Sequence, residues 1–239
     1  MIAEGTVLRG PELEPVRGRV VVEDGVIVAV EEADVYSDDV VLPAFVNAHT
    51  HIGDSIAKEA GAGLSLDDLV APPDGLKHRL LRAASREETV DAMRRSLRLM
   101  TETGTAACIE FREGGVEGVE YIRDAAASLP IDPVVLGRES EDAMRESDGF
   151  GASGARDADF DRLRNATREA EKLFGIHAGE RDPHDINAAL DLDPDFLVHM
   201  VHPEPLHYER LADNDIPVVV CPRSNLVTGV GVPPIRELT

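Results

Sequence analysis

Only three lysines, Lys58, Lys77 and Lys172, occur in this chain of 239 residues; the remaining basic residues are arginines. The 24 basic side chains face 46 acidic ones, for a formal charge of −22. A surface so short of positive charge repels nucleic acid and anionic membranes, so neither is expected as a partner. Concentrated salt would screen the self-repulsion of such a surface, and adaptation to high salt is therefore expected. No apolar run is long enough to span a bilayer and no secretory leader is evident, which points to a cytoplasmic protein. Cysteine occurs twice. Cys108 and Cys221 both sit in apolar runs that read as buried strands, so free buried thiols are expected rather than a disulfide or metal ligands.

Residues 1–42 differ from the rest of the chain. Arg19-Val20-Val21-Val22 and Val26-Ile27-Val28-Ala29-Val30 flank Glu23-Asp24-Gly25, and Asp-Gly between β-branched runs signals a hairpin. A small β-unit therefore precedes a main domain over 43–239. There, short apolar segments alternate with helical patterns, the rhythm of βα units around a parallel sheet. Strands are expected at 41–49, 106–111, 133–137, 173–177, 196–199 and 216–221.

Between them, Ser85-Arg86-Glu87-Glu88 has the capping-box spacing, Val90, Met93, Leu97 and Met100 form one apolar stripe, and Gly104 supplies a stop. Further helices are expected over 159–172 with Phe160, Leu163 and Ala170 inward, over 182–190 from an Asp-Pro start, and over 205–214 with Leu206 and Leu211 buried. Two long connections, 61–75 with Pro72 and Pro73, and 140–156 around a short strand at 149–152, read either as walls of a substrate site or as surface loops. Gly114-Gly115 after Arg112 reads as a tight strand-to-helix connection with a surface arginine, an anion-binding turn being the alternative.

The chemistry lies in Leu42-Pro43-Ala44-Phe45-Val46-Asn47-Ala48-His49-Thr50-His51. Two imidazoles two residues apart on a strand project from the same face and make a ready pair of metal ligands. A catalytic zinc needs a third protein ligand. His177, in Phe174-Gly175-Ile176-His177-Ala178-Gly179-Glu180, is the best candidate, with Glu180 placed to move the protons of an activated water. All three histidines fall at the carboxyl ends of expected strands, the edge where a parallel barrel builds its active site. Val198-His199-Met200-Val201-His202 supplies a further pair. His199 belongs at the strand end, polarising water or holding a tetrahedral intermediate, and His202 in the adjoining loop in a structural role. His78, His184 and His207 read as surface residues.

Taken with Cys221-Pro222-Arg223-Ser224-Asn225 and the subsequent Gly-Val-Gly-Val-Pro-Pro segment, these pieces resemble the amidohydrolase superfamily. The resemblance is to its aminohydrolase branch of adenosine and methylthioadenosine/S-adenosylhomocysteine deaminases, guanine deaminases and triazine chlorohydrolases, and most of all to archaeal predicted chlorohydrolases. It implies an α/β fold, a (β/α)8 TIM-type barrel preceded by part of a small β-sandwich. It also implies one divalent metal, usually Zn2+ with Fe2+ or Mn2+ as alternatives, on His49, His51 and His177. Glu180 and His199 would be catalytic, and Ser224 and Asn225 would shape the pocket.

The family's last strand contributes an aspartate near the metal, and the chain stops at Thr239 before any such segment. A barrel truncated before strand 8 is therefore expected, with exposed strand edges that favour association, so a homo-oligomer is a possible state. The function expected is hydrolytic deamination of an amino-substituted heterocycle such as a purine or nucleoside. Dechlorination or cyclic-amide hydrolysis by the same machinery is the near alternative, and a non-catalytic scaffold the distant one.

Overall fold

The computed structural model of the chain describes residues 1–70 and 74–238. It divides into two compact units, Met1–Phe45 and Val46–Thr239. In the first, β1 (Ile2–Arg9), β2 (Glu14–Glu23), β3 (Val26–Glu32) and β4 (Val40–Val41) form a sheet in the order β3-β2-β1-β4. The β2–β3 connection is the hairpin that the Asp-Gly pair signals. Asp24 and Gly25 both take positive φ, 50° and 79°, as a turn matching the twist of its strands requires. Val7 and Val20 are buried, whereas Val26, Ile27 and Val28 of β3 are exposed.

The second unit carries β5 (Phe45–Thr50), β6 (Thr105–Arg112), β7 (Asp132–Gly137), β8 (Gly149–Ala152), β9 (Leu173–Ala178), β10 (Phe196–His199) and β11 (Val218–Val219). These seven strands stand side by side in chain order, and every pair from β6 to β11 is parallel. Each step from one strand to the next passes through at least one helix. That is the βα repeat of a TIM-type barrel, and it collects the carboxyl ends of its strands along one rim. Among the described residues no helix is long and apolar enough to cross a membrane.

The helix Arg86–Glu102 shows how the repeat is built. Ser85 and Glu88 close both halves of the capping box, and Val90, Met93 and Leu97 are buried against Cys108 and Ile122. Gly104, at φ 90°, comes after the last turn. A second core packs Phe150, Phe174 and Ile176 with Ile186, Leu197 and Met200. Inside the sheet Phe111 is completely buried. A Cβ on Gly151 would come within 2.6 Å of its ring, and one on Gly175 would meet the Phe196 ring first and that of Phe111 at 2.9 Å, so Gly151 makes room for Phe111 and Gly175 for both aromatics.

Several expectations need correction. The segment 140–156 is not a loop: Ser140 caps the helix Glu141–Arg145, and Gly149–Ala152 is a fully buried strand of the sheet. The connection 61–75 contains the helix Leu66–Val70, and Pro72 and Pro73 lie outside the described residues. The expected strand at 216–221 shrinks to Val218–Val219, because Pro222 starts a helix for which Cys221 is the N-cap. Cys221 is consequently only half-buried, unlike Cys108. Leu206 is exposed although Leu211 is buried. His207 is buried rather than superficial, since its Nδ1 accepts the Glu204 N–H at the helix start, 2.9 Å away. Arg112 is buried as well, for reasons that belong to the site.

Candidate metal centre

Strand alternation aims His49 and His51 to one side of β5 and Thr50 to the other. The Thr50 hydroxyl lies 2.7 Å from Glu110 Oε2, which also accepts the Ile52 N–H at 2.7 Å. Glu110 is completely buried in β6. Burial pushes its carboxyl up to about 7, with Arg112 and these donors opposing the rise. The effect is to clamp the turn that carries His51. His177 lies in β9, and His199 ends β10 with φ +82°, with Met200 next to it at +48°. Two consecutive non-glycine residues in the left-handed region are costly, and such strain gathers at functional sites. It turns the chain after β10, where Met200 and Val201 donate to the carbonyls of Ala178 and Gly179.

Four imidazoles meet at this rim. Ring centroids are 4.9 Å apart for His49 and His51, 4.9 Å for His49 and His177, and 5.3 Å for His177 and His199. Nitrogens of His49, His177 and His199 lie within 4.8 Å of one another, and His51 Nε2 is 3.3 Å from His177 Nε2. Phe111 floors the group, with its ring 4.6 Å from that of His49 and 4.9 Å from that of His177. Burial, reinforced by the neighbouring rings, holds His49 and His177 well below the usual histidine range. Burial and then Lys77 lower His51, and burial takes His199 down to about 4. The cluster is neutral at neutral pH.

Neutral rings have one proton each, and its place is set by the partners. His51 Nδ1 is 3.2 Å from Glu113 Oε1 and His177 Nδ1 is 2.7 Å from Ala152 O. Ala152 O only accepts, so His177 carries its proton on Nδ1. The Glu113 carboxylate likewise accepts from His51 Nδ1, the nearer of that atom's two neighbours, since Lys77 Nζ lies 3.4 Å from it and is itself directed to Glu113 at 2.7 Å. The Nε2 lone pairs of the two rings then face each other at 3.3 Å, an arrangement that repels unless a cation lies between them. His49 Nδ1 is buried without a hydrogen-bond partner, offering a third unclaimed nitrogen. This donor set fits a divalent first-row metal.

A charged network that no sequence motif announces supports His51. Glu113, just past β6, is buried and accepts from Lys77 Nζ at 2.7 Å and Arg138 Nη1 at 2.9 Å. Burial alone would raise the Glu113 carboxyl, but Lys77, His51 and Arg138 together hold it well below the usual range. Lys77, from the helix Leu76–Ala83, is equally buried and also pairs with Asp54 at 3.1 Å. Burial would lower the ammonium, yet Glu113 and Asp54 outweigh it and raise its pKa. Arg112 joins from below, its Nε donating to Glu113 O and Nη1 reaching Glu110 at 3.4 Å. A Cβ on Gly53 would fall 1.6 Å from that guanidinium, so the glycine after Ile52 leaves it space.

Glu180 lies beside His199, Oε2 to Nε2 3.6 Å, half-buried in the turn after β9. Burial raises its carboxyl, partly offset by Arg181, which suits a group that accepts a proton and returns it. The preceding Gly179 has φ +65° and its N–H donates to Asp185 Oδ1 at 2.9 Å. Asp182, not Glu180, caps the next helical turn. Asn225 is completely buried, with Nδ2 3.0 Å from His199 Nδ1 and 3.4 Å from Glu180 Oε1. Ser224 is exposed, and His202 Nε2 reaches Val230 O at 3.0 Å. The structure thus gathers His49, His51, His177, His199 and Glu180, and leaves Ser224 aside.

A parallel βα sheet with a buried imidazole cluster at its carboxyl rim defines a metal-dependent hydrolase of TIM-barrel type. The amidohydrolase family model matches residues 40–239, and the chain belongs to that family. A candidate aminohydrolase of Methanothermobacter thermautotrophicus is 35% identical over all of this chain and 72% of the relative. A second, from Archaeoglobus fulgidus, is 38% identical over 89% of this chain and 63% of its own length. An adenosine deaminase from Xanthomonas campestris with bound zinc has the same fold, with TM-score 0.72 and 18% identity over 99% of this chain and 66% of the other. The zinc complex of an Arthrobacter aurescens atrazine chlorohydrolase gives TM-score 0.73 and 15% identity over 99% and 69%.

Proposed function

We propose that the chain is the barrel of a hydrolytic deaminase acting on an amino-substituted heterocycle such as a purine or nucleoside, with one divalent metal, zinc by preference, held by His49, His51 and His177. The observation that carries this reading is the 3.3 Å approach of two imidazole Nε2 atoms whose Nδ1 protons are already committed elsewhere. A divalent cation held there supplies Lewis acidity, which lowers the pKa of water in contact with it. Glu180 takes one proton of the attacking water and passes it to the ring nitrogen beside the carbon under attack; it then takes the proton of the newly added hydroxyl and delivers it to the departing amine. Water and an aminoheterocycle become a hydroxylated heterocycle and ammonia. His199, neutral at this pH, donates from Nε2 to the oxygen as charge builds on it. The partner expected is a small molecule, and the formal charge of −22 argues against a polyanion.

Metal analysis of the purified protein tests the centre. Close to one zinc per chain is expected, falling to background in His177→Ala; a well-folded chain that takes up no zinc overturns the reading. Ammonia release from purines, pterins and nucleosides then tests the reaction. Chloride released from halogenated triazines, with no ammonia from any amine, would replace deamination by dechlorination at the same centre.

A further inference from the structure

We propose that Asn225 is a positioning residue, fixing the proton of His199 on Nε2 so that this imidazole is a hydrogen-bond donor and not a fourth lone-pair ligand. The inference rests on the roles proposed for Glu180 and His199, and it addresses what geometry alone leaves open. By distance, the nitrogens of His199 converge with those of His49 and His177; what sets His199 apart is its neighbour.

Asn225 is completely buried in the helix Pro222–Thr228, where its N–H donates to Cys221 O and its carbonyl accepts from Val230. Its main chain is pinned at both ends, so the amide is presented in one place. Nδ2 lies 3.0 Å from His199 Nδ1 and 3.4 Å from Glu180 Oε1. An amide nitrogen has two protons and no free lone pair, so both neighbours must accept. Turning the amide over would set its oxygen against the Glu180 carboxylate, acceptor against acceptor, in a buried setting. With Nδ1 accepting, a neutral His199 holds its one proton on Nε2, the atom 3.6 Å from Glu180 Oε2.

The opposite arrangement governs His51 and His177, whose Nδ1 atoms donate to a carboxylate and a carbonyl. Acceptors behind two rings free their Nε2 lone pairs for a cation, and a donor behind the third withholds that of His199. Asn225 Oδ1 is buried with no hydrogen-bond partner, so the amide sits where its nitrogen serves the two side chains even though its oxygen goes unsatisfied. A single buried amide therefore orients both the proton carrier and the oxygen-side donor.

Long-range proton–nitrogen correlation spectra of the zinc-free, histidine-labelled chain read the tautomer directly, with His199 identified by its disappearance in His199→Gln. The expected wild-type pattern is protonation at Nε2. In Asn225→Asp a carboxylate, which only accepts, should move the proton to Nδ1; in Asn225→Ala the two tautomers should mix. With a substrate in hand, Asn225→Asp should lower kcat about 10²-fold and leave KM within about twofold. Wild-type protonation at Nδ1, or an unchanged tautomer or kcat in Asn225→Asp, overturns the proposal. The wild-type spectrum decides even if the variants fail to fold. Zinc uptake by the same samples, titrated after the spectra are recorded, separates the two readings, because a chain that binds no zinc sinks the hydrolase and leaves the tautomer measurable.

Discussion

Glu113 is the residue on which the centre leans most. It accepts from His51, Lys77 and Arg138 on a single oxygen, so Glu113→Gln leaves the buried Lys77 and the partly buried Arg138 short of their counter-charge and gives His51 a weaker acceptor. Breaking a buried ion pair costs about 3–5 kcal/mol, and loss of a carboxylate behind a ligating histidine weakens metal binding about 10–100-fold. Both should appear, the first as a lower urea midpoint and the second in competition with a chromophoric chelator. Lys77→Met in the same chain should recover part of the stability; if Glu113→Gln alone is neutral in both assays, the network is incidental. His49, His51 and Glu180 were legible because a strand's two-residue period and a short His-to-Glu spacing are local facts. Glu113, Lys77 and Arg112 were not. An acid before Gly114-Gly115 looks like the start of a helix, and only the fold brings Lys77, from another helix, against it.

Among the elements, β6 sets the geometry of the rim. Phe111 fills the space above Gly151 and Gly175 and touches the rings of His49 and His177, so Phe111→Ala should cost about 3–5 kcal/mol and lower zinc affinity as well. Thermal unfolding with and without zinc reads both; a variant that loses stability but keeps its zinc affinity would show that the ring holds the barrel and not the site. Helix Arg86–Glu102 was readable down to its cap because Ser85, Glu88 and the apolar stripe are set by spacing within one element. The strand Gly149–Ala152 was legible, but its place in the sheet was hidden among glycine, serine and charge. Gly151 is there to admit Phe111, a demand from another strand that no local pattern records. The two-residue β11 was overestimated because Val218-Val219-Val220-Cys221 reads as a strand until Pro222 forces the helix.

For the whole molecule, the buried imidazoles fix the response to acid. His49, His51, His177 and His199 are all held below the usual value of 6.5, His199 to about 4. Below 6.5 the unfolded chain takes up protons that the folded rings refuse, so their contribution is full above 6.5 and is lost as the pH falls toward 4. For His199 this amounts to roughly 3 kcal/mol. Glu110, raised to about 7 from 4.5, acts in the opposite sense, a penalty that grows as the pH rises through that interval, and burial raises Glu180 and Asp185 as well. The four imidazoles, two of them held well below the usual range, outweigh these carboxyls. Urea midpoints of the zinc-free chain should therefore fall from neutral pH to about pH 4; a flat or rising profile contradicts the burial assigned to these rings.

The facing nitrogens of His51 and His177 carry a last implication. Whenever the chain is stripped of metal these atoms oppose each other across 3.3 Å, so part of the folding free energy is spent on readiness for a guest. Folding and loading are then linked, and the change that weakens loading, taking away either ring, is the change that lets the bare scaffold relax.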